Sequence, residues 1–150
     1  MQIVANNKKA FFEYFILEKI EAGIQLTGDE VKSLRVGKAS IKEAYAEAKK
    51  GQLFLVNSDI SNYEKASSYS KLNSKRVRKL LVHKKEISKL QGKIEKEGMT
   101  VVPLKLYFNN KGIAKVEIAI AKGKKLYDKR EVKKKKDWNI QKKRLLKNIK

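Results

Sequence analysis

The chain has 150 residues, with 37 lysines and arginines against 16 aspartates and glutamates, so its formal net charge is +21. Hydrophobic residues make up 41% of it, enough for the core of one domain, which excludes a wholly disordered chain. The absence of cysteine excludes disulfides, thiolate metal sites and cysteine nucleophiles. A charge this positive favours a polyanionic partner, with nucleic acid ahead of an anionic membrane or an acidic protein.

No apolar run in the sequence approaches the ~20 residues of a membrane span. The first nine residues also lack the apolar core of a signal peptide. We therefore expect a cytoplasmic protein with no membrane partner.

The first half of the chain predicts two strands and a short helix. Segments 12–20 and 52–60 are rich in aromatic and β-branched residues, which is typical of strands. A helix is expected after Thr27, with Val31 and Leu34 facing inward. The spacing of Gly23 and Gly28 resembles a phosphate loop, but acidic residues follow where lysine and serine or threonine are needed, so a turn is favoured.

The second half predicts a helix and a hairpin. Ile87, Leu90 and Ile94 recur at helical spacing within 83–97, and Gly98 suits the end of that helix. Apolar residues alternate in 102–108 and 114–120, with a turn at 109–112, and Pro103 is expected at an edge or a strand start. Short antiparallel strands with two helices predict a mainly β fold, a small antiparallel β-barrel.

Charge divides the chain into a domain, 1–121, and a basic tail, 122–150. The domain has 23 basic and 13 acidic residues, and the tail 14 and 3. Repulsion within Lys133–Lys136 predicts a tail that is disordered when free. One helical face nevertheless collects apolar residues, namely Trp138, Leu145, Leu146 and Ile149. We expect an amphipathic helix to form against a polyanion, and the alternative is a solubilising extension.

The sequence offers little catalytic chemistry. His83 is the only histidine and has no second histidine or cysteine with which to bind a metal, so a helix start or packing role is favoured. Asp29 and Glu30 could act as an acid–base pair, but acidic residues in a first helical turn complement the helix dipole without catalysis. We expect no enzyme, no metal and no cofactor.

Aromatic and basic residues are interleaved along the chain, a combination that binds single-stranded or looped RNA through stacking and phosphate contacts. The alternative is that the tyrosines are core residues and the lysines a solvated face. Segment 67–75 has the composition of a mobile basic loop. The interleaved aromatic residues are Tyr14, Tyr63, Tyr69 and Tyr107, and the basic residues are Lys8, Lys9, Lys32, Arg35, Lys38, Lys75, Arg76, Arg78 and Lys79.

Particular strings carry a resemblance to a known family. They are Asn7-Lys8-Lys9-Ala10, Tyr14-Phe15-Ile16, Glu21-Ala22-Gly23-Ile24, residues 26–35, Arg78-Lys79-Leu80-Leu81 and residues 123–130. On these motifs and their order the chain resembles the SsrA-binding proteins, the small protein B family, over about residues 7–148.

The resemblance implies a barrel related to the oligonucleotide-binding fold and a non-enzymatic role in bacterial ribosome rescue, or trans-translation. The barrel would bind the tRNA-like domain of transfer-messenger RNA. The tail would enter the decoding centre of small-subunit ribosomal RNA and the empty messenger channel. Elongation factor Tu would join the delivery complex, and the protein would act as a monomer. The alternative is a structural ribosomal protein or a nonspecific RNA-binding protein.

The resemblance also implies site residues. Glu21 would accept hydrogen bonds from base edges or ribose hydroxyls, Gly123 would be the hinge of the tail, and Tyr127 would stack on a base where the family often has histidine. The transfer-messenger RNA surface would comprise Asn7, Lys8, Lys9, Tyr14, Glu21, Lys32, Arg35, Arg78 and Lys79. The ribosome-contacting tail would use Gly123, Tyr127, Asp128, Lys129, Arg130, Trp138, Leu145 and Leu146. Leu72-Asn73-Ser74 replaces a common His-x-Pro turn, so no role is predicted for that loop.

Overall fold

The computed structural model describes residues 1–61 and 73–124. The strands in these two ranges are β1 Gln2–Asn6, β2 Tyr14–Ile24, β3 Ala39–Ser40, β4 Tyr45–Lys49, β5 Gln52–Val56, β6 Asp59–Ile60, β7 Arg78–Leu81, β8 Thr100–Phe108 and β9 Ala114–Gly123. The helices are α1 Lys8–Glu13, α2 Gly28–Arg35 and α3 Lys84–Glu97. Within these residues no helix is long and apolar enough to cross a membrane.

The larger sheet closes into a ring of strands in the order β8-β4-β5-β7-β2-β9, with β9 pairing back to β8. Every pairing is antiparallel, β1 pairs with β8 outside the ring, and β3 and β6 form a separate pair. The mainly β fold with short helices is confirmed.

The ring encloses the main core, into which β9 points Val116, Ile118 and Ile120. The β8–β9 hairpin is confirmed, and its turn has a clear local cause. The Asn109 side chain accepts hydrogen bonds from the backbone N–H groups of Lys111 and Ile113, while Gly112 takes a φ of 75°. This turn fixes the register in which β8 and β9 pair.

Helices α2 and α3 are also confirmed. Thr27 and Glu30 form a reciprocal capping box at the start of α2, and Leu34 is buried beneath it. Helix α3 ends at Gly98, which has the left-handed φ of 64°.

Three local predictions were wrong. The strand predicted over 12–20 begins only at Tyr14, because Asn7 caps a short helix, α1, that contains Phe12. The segment 52–60 is two strands, since Asn57 takes a φ of 63° between them. Pro103 lies inside β8 opposite Ile118 and next to a bulge, where a ladder hydrogen bond is already interrupted.

Bulges decide which residues face outward. One at Leu17 shifts the β2 register, so Tyr14 and Ile16 pack under α1 while Ile20 joins the main core. Helix α1 places Ala10 over the outer face of β8 and β9, forming a second, smaller apolar cluster. The outer face of β2 beyond this cluster carries Lys19 and Glu21.

Candidate nucleic-acid interface

A groove of about 1200 Å³ runs between β2 and the segment from β7 into α3. Lysines outnumber carboxylates along it, and the exposed side chain of Leu81 adds an apolar surface. The lysines are Lys19, Lys50, Lys79, Lys84 and Lys115, and the glutamates are Glu18, Glu21 and Glu86. A groove with excess positive charge and apolar surface suits a nucleic-acid backbone.

The groove exists because β2 and β7 pair over only two positions, Gly23 with Leu81 and Ile24 with Leu80. Residues before Gly23 in β2 and after Leu81 line the groove. At Gly23 a Cβ atom would lie 3.2 Å from the Leu81 Cβ, so the missing side chain permits this close approach.

Glu21 is held in place at the groove by Tyr107. The Tyr107 hydroxyl donates a hydrogen bond to Glu21 Oε2, although residue 107 is otherwise buried. Burial, and then Glu21 itself, raises the pKa of Tyr107 above its ordinary value, so the phenol stays a donor at neutral pH.

Glu117 lies directly opposite Glu21 across the β2–β9 pair. Its Oε1 atom is buried and makes no hydrogen bond among the described residues. Adjacent like charges across two strands repel. The Tyr107 hydrogen bond therefore fixes the orientation of Glu21 beside a second carboxylate.

Arg78, a predicted RNA contact, lies inside the protein with an exposed fraction of 0%. It donates to Glu30 Oε2 at 2.8 Å, to both the carbonyl and hydroxyl oxygens of Ser58 at 2.9 Å, and to the Ser74 carbonyl at 2.9 Å. Arg76 binds the other Glu30 oxygen at 2.5 Å. Burial alone would raise the pKa of Glu30, but bonds from Arg76, the Thr27 N–H and Arg78 outweigh it and lower the pKa. Direct RNA contact by Arg78 does not fit this burial.

Asn7 is also buried, with 3% of its surface exposed. Its amide nitrogen donates to the carbonyls of Pro103 at 2.9 Å and Ile41 at 3.3 Å, and its oxygen accepts from the Ala10 N–H. The first two bonds attach the start of α1 to β8 and to the segment after β3, and the third caps the helix. A direct RNA contact does not fit this position either, and Asn7 instead positions α1.

The other predicted contacts are dispersed. Tyr14 is half-buried and borders, with Asn7, a small cavity of about 260 Å³. Lys8 is exposed at the start of α1, while Lys9 binds Glu43 at 2.7 Å, which raises the pKa of that lysine.

Helix α2 carries Lys32 and Arg35, neither of which lines the groove; Arg35 borders a different cavity beside the β8–β9 turn. Gly123 ends β9, opposite Tyr14. The other predicted tail residues, 127–146, lie outside the described residues, as do Tyr63 and Tyr69.

Of the predicted RNA contacts, the structure brings Glu21 and Lys79 together in the groove. Sequence reasoning missed Lys19, Lys115 and Leu81. Strand alternation carried a usable signal for the last of these: with Arg78 and Leu80 turned inward, Lys79 and Leu81 must face outward. Among the described residues no group of histidine, aspartate and glutamate side chains could hold a metal ion.

Comparison with known proteins identifies the family. The family model described as SmpB protein matches residues 4–148. The chain belongs to the SmpB family. The resemblance predicted from the motif strings is confirmed.

Relatives in this family are similar over nearly the whole chain. The SsrA-binding protein of Nitrobacter winogradskyi is 55% identical over 97% of this chain and 92% of its own length. The SsrA-binding protein of a Bradyrhizobium species is 54% identical over 96% of this chain and 91% of its own length. A chain from a structure of tmRNA-SmpB in the bacterial ribosome is 50% identical, with a TM-score of 0.67 over 79% of this chain and 82% of that one.

Proposed function

We propose that this protein binds transfer-messenger RNA and brings it to stalled ribosomes for trans-translation. The basic groove with Glu21 held at its edge is the observation that carries this proposal. Family membership supports it, because the relatives are SsrA-binding proteins and the similar solved chain comes from tmRNA-SmpB in the ribosome.

The groove supplies two kinds of contact to a folded RNA. Lysines such as Lys79 and Lys115 neutralise phosphates, which provides affinity without sequence information. Glu21 adds an acceptor for a base N–H or a ribose hydroxyl, which depends on geometry. A carboxylate on a basic surface lowers general attraction, so its benefit lies in selecting one RNA over others.

The tail completes the proposed function. Residues 122–150 carry 14 basic and 3 acidic side chains, a composition suited to ribosomal RNA at the decoding centre and in the empty messenger channel. Tyr127 to Arg130 would lie at the decoding centre, and Trp138, Leu145 and Leu146 would dock the tail. The protein would act as a cytoplasmic monomer, with elongation factor Tu in the delivery complex and no covalent chemistry of its own.

The Glu21→Gln substitution tests the groove, with Glu95→Gln on α3 as the matched control. Both changes raise the net charge by one, so general electrostatics predicts slightly tighter RNA binding in both. We expect Glu21→Gln instead to weaken transfer-messenger RNA binding by about 1–3 kcal/mol, the cost of a lost charge-assisted hydrogen bond. Equal dissociation constants for the two variants at fixed salt would contradict the proposal.

Tail function is tested in the full chain by replacing Asp128, Lys129 and Arg130 with alanine. We expect affinity for free transfer-messenger RNA to be retained and ribosome rescue to be lost. Loss of both to the same extent would contradict separate roles for domain and tail.

A nonspecific RNA-binding protein is the rival function, since a charge of +21 suits it equally well. Such a protein binds any RNA, with a salt slope of about −0.7 to −0.9 per phosphate contact and no preference among competitors. We expect preference for transfer-messenger RNA over bulk transfer RNA to persist as salt rises.

A further inference from the structure

Helix α1 and the start of β2 expose aromatic rings outside the groove. The exposed fractions are 45% for Phe11, 79% for Phe12 and 39% for Phe15, and Leu17 nearby is 54% exposed. We call Phe11, Phe12 and Phe15 the aromatic patch. Three exposed phenylalanines within five residues indicate an interaction surface, whereas single scattered apolar residues do not.

Lysines flank the aromatic patch. Lys19 Nζ lies 5.8 Å from the centre of the Phe11 ring, and Lys124 Nζ lies 5.2 Å from that of Phe15. Lys124 also donates to the Phe11 carbonyl at 3.0 Å. Phe11 and Phe15 therefore each have one lysine near the ring, a combination of aromatic and basic side chains found where proteins bind single-stranded nucleic acid.

Charge decides which partner fits the aromatic patch. A second copy of the chain carries +21, and the chain's own tail has 14 basic residues against 3 acidic ones, so both would be repelled by the flanking lysines. An RNA strand would be attracted by them. Its unpaired bases also have flat apolar faces that match exposed phenyl rings.

The aromatic patch is continuous with the proposed RNA surface. Lys19 lies over Phe11 and also lines the groove that contains Glu21. An RNA whose backbone follows the groove would thus reach the aromatic patch at Lys19.

We propose that the aromatic patch is a stacking platform for unpaired RNA bases, with Phe12 as its main ring and Lys19 and Lys124 contacting the adjacent phosphates. This inference rests on the proposed function. The RNA is transfer-messenger RNA, because Lys19 lies over Phe11 and also lines the groove proposed to bind that RNA.

Substitutions at Phe12 in the full chain test the platform. Because Phe12 is 79% exposed, we expect Phe12→Ala, Phe12→Leu and Phe12→Trp all to fold. Loss of one stacked base weakens binding about 5- to 150-fold. We expect that loss for both alanine and leucine, and wild-type or tighter binding for tryptophan. Ile113→Ala, at an apolar residue 52% exposed near the β8–β9 turn, is the control and should bind like the wild type.

Binding is measured separately for purified transfer-messenger RNA and for ribosomes without it. Binding to transfer-messenger RNA should weaken, and a loss confined to the ribosomes would overturn the proposal. Wild-type affinity for Phe12→Leu would overturn the platform, because leucine preserves apolar contact but cannot stack. If every Phe12 variant bound both RNAs normally while Glu21→Gln still weakened binding, the platform would fall and the proposed function would stand. If Glu21→Gln also bound transfer-messenger RNA normally, both the stacking platform and the proposed function would be contradicted.

Discussion

The Tyr107 hydroxyl touches Glu21 but is too buried to be an RNA contact. Its effect on RNA must therefore pass through the orientation of the glutamate. We predict that Tyr107→Phe, which removes only the hydroxyl, weakens transfer-messenger RNA binding about fivefold, corresponding to about 1 kcal/mol. In a Glu21→Gln background the same change should have little further effect, because coupled groups are not additive. Independent, additive losses in the double variant would show that the phenol acts elsewhere.

Glu30 couples the fold to pH through its two arginines. Its folded pKa lies below the unfolded value of about 4.3, so the stability it contributes is complete above that value and is lost as pH falls through the folded pKa. We predict that the free energy of unfolding, measured in urea, falls less between pH 6 and pH 3 in Glu30→Gln than in the wild type. The variant should also be less stable at pH 6, since Arg78 stays buried without a charged partner. If the free energy of unfolding depended on pH in the same way in Glu30→Gln and the wild type, Glu30 would not be the group that couples stability to pH.

At the scale of elements, the start of α1 is held by one buried side chain, that of Asn7. Asn7 caps the helix and holds it to carbonyls of Ile41 and Pro103 on two other segments. We predict that Asn7→Ala lowers the free energy of unfolding by about 2 kcal/mol, combining a lost cap with buried carbonyls left unpaired. The exposed Asn110 provides the control, and its alanine variant should unfold like the wild type. If Asn7→Ala weakened RNA binding without changing stability, Asn7 would be a direct contact after all.

The elements that the sequence predicted correctly are those whose signals are local. Helix α3 has a helical apolar period and a terminal Gly98, and the β8–β9 hairpin has alternation on both sides of Asn109. Helix α1 was missed because its six residues include two phenylalanines that also suit a strand, and its cap is stabilised by carbonyls that are distant in sequence.

The site was less predictable for a related reason. The sequence alone suggests that Arg78 is an exposed basic residue. In the fold it is buried and hydrogen-bonded to Glu30, which is 48 residues away in the sequence. Tyr107 looked like a stacking residue, yet the bulge after Pro103 and pairing with β1 and β9 place it under Glu21. Among the described residues, only Glu21 and Lys79 were predicted as RNA contacts and also lie together in the groove, because their strands alternate regularly at those positions.

For the whole molecule, the excess positive charge is divided almost equally, with net +10 in residues 1–121 and +11 in residues 122–150. In the domain the charge is shaped by folding, because some cations, such as Lys9, are neutralised by acidic neighbours while others line the groove. The tail has few acids with which to do the same. The domain and the tail thus carry nearly the same net charge, but only in the domain do acidic neighbours pair with part of it. This difference favours two RNA partners, one for the domain and one for the tail.

Replacing Lys133–Lys136 with glutamine tests this division, because it removes four positive charges from the tail and none from the domain. Each phosphate contact contributes about 0.7–0.9 to the slope of log affinity against log salt. We predict that the slope for ribosome binding becomes shallower by up to about 3, while the slope for free transfer-messenger RNA is unchanged. Filter binding at several potassium concentrations would measure both. An equal change in the two slopes would mean that the tail lies on the same RNA as the groove, and the two-partner arrangement would be wrong.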